Sequence, residues 1–106
     1  MTYAMFDLLN DQPPVPEDGI LSRTLYTDAE VKVVWFGFGA GQELSQHTAA
    51  QPAILHFLSG EAHLQLGEDE HSAHAGTWAH LPAGLPHSVR AATPLVMLLL
   101  LLKNAP

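Results

Sequence analysis

A chain of 106 residues makes one domain with one core, because two cores of half the size would bury too little. Eleven acidic residues against four basic ones give a formal charge of −7, which repels phosphate backbones and excludes nucleic acid as a natural partner. The absence of cysteine removes disulfides, thiolate metal sites and cysteine nucleophiles, leaving histidine, carboxylate or amide oxygen to hold any metal.

Residues 1–10 lack the cationic start and long apolar run of a secretion signal. The longest apolar run, 95–102, falls far short of the ~20 residues that span a bilayer. The expectation is a cytoplasmic protein with no membrane partner. Residues 1–9 carry Tyr3, Phe6, Leu8 and Leu9 without a clean period and read as an arm that packs on a sheet, its own or a partner's. The prolines at 13, 14 and 16 remove ladder donors, so 12–19 is a connector and the barrel domain is expected over 20–106.

From 20 onward the pattern is short strands between turns. Residues 20–27 alternate loosely, with Leu21 and Leu25 on one face, and 27–30 form a turn. The run 31–38, V-K-V-V-W-F-G-F, is rich in β-branched and aromatic residues with one charge. A short segment ends at His47, an apolar strand follows over 53–58, and Ala62, Leu64 and Leu66 alternate with polar neighbours in the half-buried pattern. An acidic turn at 67–70, short strands at 71–75 and 77–81, and another over 88–92 lead to 95–103, whose leucines fit a strand buried on both faces. Many short strands with glycine or proline turns, and no segment that requires a helix, predict an all-β sandwich or small barrel.

The stretch G-T-W-A-H-L-P-A-G-L-P-H, 76–87, joins a strand, a tight turn and a histidine at fixed offsets. Its spacing G-x5-P-x-G-x2-H resembles the second motif of the cupin superfamily, which implies a double-stranded β-helix or jelly roll with a metal-binding histidine at His87. Gly41, His47 and Gly60 keep the offsets of the first cupin motif, G-x5-H-x-H-x(3,4)-E-x6-G, while Ala49 and Ala53 stand where its second histidine and its glutamate belong. In the second motif Ala91 replaces the usual asparagine. The resemblance runs from about 31 to 102. It is good on the turns and poor on the ligands, and turns specify shape whereas ligands specify chemistry.

The resemblance implies a divalent transition metal, Zn, Ni, Fe or Mn, on His47 and His87. The other reading is a pair of neutral imidazoles that hydrogen bond a ligand or water in an apolar pocket. Replacement ligands or pocket residues are Gln51, through its amide oxygen, and His56, although alternation aims His56 away from the face of Leu55 and Phe57, where the missing glutamate would point. Phe57 then lines the pocket, and Trp78 is either core or pocket wall. Glu43, four residues before His47, is a candidate acid or base or a solvated rim residue. His63, His71 and His74 face solvent and are assigned no chemistry. No serine sits on a strained elbow, and Gly37, Gly39 and Gly41 are not followed by a dinucleotide fingerprint.

Three functions follow. The first is a metal-dependent isomerase, lyase or dioxygenase acting on a small molecule in the barrel; the second is a metal-independent small-molecule binding or sensing module; the third is an interaction protein with a filled barrel. Two strands apolar on both faces offer more hydrophobic surface than one small core consumes, and similar cupins pair by stacking sheets. A homodimer, with the arm exchanged in one variant, is the expected assembly.

Overall fold

The computed structural model describes residues 1–103. Among the described residues every regular element is a strand: β1 (Ile20–Thr27), β2 (Val31–Phe38), β3 (Glu43–His47), β4 (Ala53–Ser59), β5 (Glu61–Leu66), β6 (Asp69–His74), β7 (Trp78–Leu81), β8 (His87–Ala91) and β9 (Leu95–Leu102). They form a five-stranded sheet in the order β1-β2-β9-β4-β7 and a four-stranded sheet in the order β3-β8-β5-β6. Every pairing is antiparallel. This is the expected all-β jelly roll, and no helix among the described residues is long and apolar enough to cross a membrane.

Alternation sorts the side chains. On β2, Phe36 and Phe38 point between the sheets and Trp35 points outward. On β9, Leu95, Met97 and Leu99 face inward, and Val96, Leu98 and Leu100 outward. The inward set closes on Leu55 and Phe57 of β4, Ala62 and Leu64 of β5, Leu81 of β7 and Val89 of β8. The outward set forms a second cluster with Leu21, Leu25 and Leu58, over which Leu8 and Val15 of the N-terminal segment are laid. The arm therefore packs on its own sheet through Leu8 and Val15, while Tyr3, Met5 and Phe6 remain exposed.

Close approaches explain two glycines. A Cβ on Gly37 would lie 2.5 Å from the ring of Trp35, so the indole lies over the backbone of β2 only because that residue has no side chain. At Gly60, between β4 and β5, φ is +87°, and a Cβ would lie 2.1 Å from the carbonyl oxygen of Pro94. Both the left-handed backbone and the contact demand glycine there.

The end of β9 is clamped. Lys103 Nζ donates to Thr27 Oγ1 at 2.7 Å and to Asp28 O at 2.8 Å, and Gln51 Nε2 donates to Lys103 O at 2.7 Å. Asp28 in turn accepts from the backbone N–H groups of Glu30 and Val31 and from the Tyr26 hydroxyl. Those backbone donors hold its carboxyl below the usual carboxylate range.

One expectation is overturned. Trp78, read as core or as barrel wall, is 58% exposed on the outer face of β7, because Ala79 and Leu81 take the inward positions of that short strand.

Gly60→Ala, which meets both a backbone clash and a positive φ, should cost more stability than either Gly37→Ala, which forces a side-chain shift worth roughly 1–3 kcal/mol, or Gly76→Ala, which has open space around it and carries the backbone strain alone. Urea denaturation of the three variants checks this order. Asp28 binds its proton more weakly when folded, so its contribution is present above the ordinary carboxylate range and lost as pH falls through the lower folded value. Asp28→Ala should therefore flatten the acid limb of a Tm-versus-pH curve.

Candidate functional site

His47 closes β3 and His87 opens β8, and the two are direct cross-strand partners. The far end of this ladder is fixed by Gly41 N donating to Ala91 O at 2.8 Å and Ala91 N donating to Gln42 O at 2.9 Å. Leu44 pairs with Val89, but from there β3 takes one more residue than β8 to reach the histidine pair, and a bulge absorbs it. Strict alternation would have put Leu44 and His47 on opposite faces. The bulge turns His47 to the inward side that Val89 and His87 share.

The loop before β8 is held as firmly. Leu85 N donates to Pro82 O at 3.3 Å, and Gly84 N donates to Ala49 O at 2.8 Å, which ties the β7–β8 turn to the β3–β4 loop. The imidazole centroids lie 4.2 Å apart with the rings tilted by 59°. His87 is 5% exposed, whereas His47 stands open to solvent.

Both rings are anchored in the same way. Nδ1 of His47 lies 2.7 Å from Ser45 O, and Nδ1 of His87 lies 2.9 Å from Leu85 O. A carbonyl can only accept, so each Nδ1 carries a hydrogen, and in the neutral ring the lone pair is left on Nε2. Burial pushes the His87 pKa down, and the neighbouring His47 adds to the effect against the opposing pull of the Leu85 carbonyl. His87 is thus held in the neutral form that can accept a hydrogen bond or bind a metal.

The interior around this pair is graded. Phe38, Leu55, Phe57, Leu64 and Met97 are sealed, whereas Phe36 and Leu99 on one sheet and Leu44 on the other face the same interior and are only half buried. The histidines and these half-buried side chains thus belong to the same inner side of the sandwich. Three surface recesses, of about 190, 190 and 220 Å³, open elsewhere and include neither histidine.

The remaining candidates are scattered. Gln51 is occupied at the end of β9 through its amide nitrogen. His56 lies on the outer face of its sheet, opposite Trp78 and Leu98, as alternation required. Phe57 is sealed in the core, and Trp78 is outside. Glu43 pairs with Arg90 and points away from the side that His47 shares with Val89, so it does not reach the histidines. Sequence reasoning had no means of finding the Ser45 and Leu85 carbonyls that fix the tautomers, since backbone acceptors leave no residue-type signal.

A divalent ion fits this donor set in part. Two Nε2 lone pairs from rings whose Nδ1–H groups are tied to carbonyls form the arrangement of metal-ligating histidines. Among the described residues, however, no group of three or more histidine, cysteine, aspartate or glutamate side chains gathers. The methyl of Ala53, 3% exposed, fills the place where the first-motif glutamate would stand. An ion here would rest on His47 and His87, with water or a ligand completing its shell, and the three-ligand facial set of the non-haem iron oxygenases is missing.

Comparison with known proteins agrees with the architecture. The family model described as a cupin domain matches residues 34–101, well over half of the chain. A conserved protein of unknown function from Streptococcus pyogenes superposes with a TM-score of 0.84 at 27% identity, over 100% of this chain and 93% of that one. An RmlC-like cupin from Desulfovibrio desulfuricans gives 0.83 at 24% identity, covering 95% and 98%. KdgF from a Halomonas species gives 0.82 at 16% identity, covering 96% of each chain. No curated protein matches in sequence. With its two-sheet β-sandwich, its turn motif and the match over 34–101, the chain belongs to the cupin family.

Proposed function

We propose that this cupin binds a small molecule in the cleft between its sheets, through a divalent ion held on the Nε2 atoms of His47 and His87. The observation that supports this most is the shared anchoring: on both rings Nδ1 is tied to a backbone carbonyl, so the two Nε2 atoms are the ones left for a ligand, on rings whose centroids lie 4.2 Å apart. The ion would supply Lewis acidity. The chain's own part is to hold the rings in one tautomer, to keep His87 neutral by burial, and to receive the apolar part of the ligand against Phe36, Leu44 and Leu99. An isomerase or lyase suits a two-histidine site better than a dioxygenase, for which the third protein ligand is missing. Neighbours of the same fold carry diverse names, among them KdgF and a DMSP lyase, DddQ, from Ruegeria pomeroyi.

Elemental analysis of protein purified without added metal tests the reading. About one transition-metal ion per chain is expected, falling at least tenfold in His47→Ala and His87→Ala. Metal-free protein that a small molecule stabilises equally with and without a chelator would instead favour the two imidazoles acting as hydrogen-bond acceptors.

We also propose that the chain works as a homodimer. A compact monomer of this mass exposes about 5,800 Å², whereas the described surface amounts to 6471 Å². The excess is close to the roughly 800 Å² that each partner contributes to a standard interface. The arm adds exposed apolar side chains to it, with Tyr3 90% exposed beside Met5 and Phe6. Light scattering at micromolar concentration should give twice the chain mass, and deletion of residues 1–6 should shift it toward the monomer.

A further inference from the structure

We propose that the recess between the edge strands β6 and β7 is a second binding site, separate from the histidine pair, for a small organic cation with apolar bulk, such as a quaternary ammonium group. The recess encloses about 220 Å³ between Leu64 and Leu66 of one sheet and Ala79 of the other, with His71, Ser72, Thr77 and Trp78 at its rim. Leu66, in its lining, is the cross-strand partner of His87, and neither histidine of the pair lines the recess.

The indole of Trp78 is the feature that the fold does not need. Trp35, the other tryptophan, is 1% exposed, while Trp78, on the edge strand at the rim of the recess, is 58% exposed. The turn that leads into it is fixed: Phe57 N donates to Thr77 O at 2.9 Å, Gly76 N donates to Phe57 O at 2.9 Å, and His74 N donates to Thr77 Oγ1 at 3.0 Å. An exposed indole is the side chain that best attracts a cation, through the negative potential over its ring.

Charge selects the same ligand class. None of the chain's basic residues, Arg23, Lys32, Arg90 and Lys103, lines the recess. The hairpin beside it carries Glu68, Asp69 and Glu70, and Asp69 pairs with Leu66, which places it on the face of the Leu64–His71 pair. An anion would meet repulsion there, and the apolar floor of Leu64, Leu66 and Ala79 suits methyl groups better than a bare metal ion.

Choline chloride is the probe, titrated at constant ionic strength into the full chain and followed by tryptophan emission, with buried Trp35 as the unresponsive reference. A saturable change at the red edge is expected, and NMR line broadening of the choline methyl groups supplies a readout independent of tryptophan. By that second readout Trp78→Ala should weaken binding roughly tenfold, in line with a desolvated cation–π contact. Asp69→Asn should weaken it about threefold, and the uncharged isostere 3,3-dimethylbutanol should bind several-fold less tightly than choline. His47→Ala and His87→Ala should leave the choline response unchanged, which separates this site from the cleft. The proposal is overturned if Trp78→Ala binds as well as the parent, if the isostere equals choline, or if a second copy buries Trp78 and removes the red-edge emission.

Discussion

Strand β9 must be buried on both faces at once, and the rest of the molecule is arranged to do it. Its leucines leave no polar side, so it takes the centre of the larger sheet between β2 and β4, the position where neither edge meets water. One face then has to be covered by a second sheet, which makes the inner core. The other has to be covered by something else, and Leu8 and Val15 of the N-terminal segment cover part of it. The glycine beneath Trp35 and the clamp at Lys103 both serve this strand: the first lets a large ring lie flat beside it, the second fixes where it ends.

The site is a by-product of the smaller sheet. A bulge of one residue in β3 decides that His47 faces inward, and the tight turn before β8 decides that His87 meets it. Neither histidine depends on a carboxylate for orientation. Each hangs from a carbonyl of its own chain two residues back, a local bond that is made as soon as the strand ends are formed. The electrostatics of the pair follow from its neighbours: with no carboxylate beside it and the protein around it, His87 has reason to stay uncharged.

The two edges of the sandwich differ in kind. Along the β3 side, two imidazoles share the inner side of the sandwich with half-buried apolar side chains. Along the β6 and β7 side, an indole and an acidic hairpin flank an apolar floor. Trp78, placed by sequence reasoning either in the core or at the histidine site, belongs to the second edge because a four-residue strand has room for only two inward side chains, and Ala79 and Leu81 occupy them.

The sequence by itself determined the strands and their faces, because alternation and turn residues are local properties that each segment carries whatever surrounds it. The half-buried pattern of Ala62, Leu64 and Leu66, the two-sided burial of 95–102 and the outward aim of His56 were all legible in this way. The pairing of His47 with His87 was legible only through motif spacing. Tertiary structure decided which carbonyls fix their tautomers, that Glu43 points away from them, and that Gln51 is occupied by the end of β9. These depend on a bulge and on contacts between distant segments, and a one-residue change of register reverses the face of every side chain after it without leaving a mark in the composition.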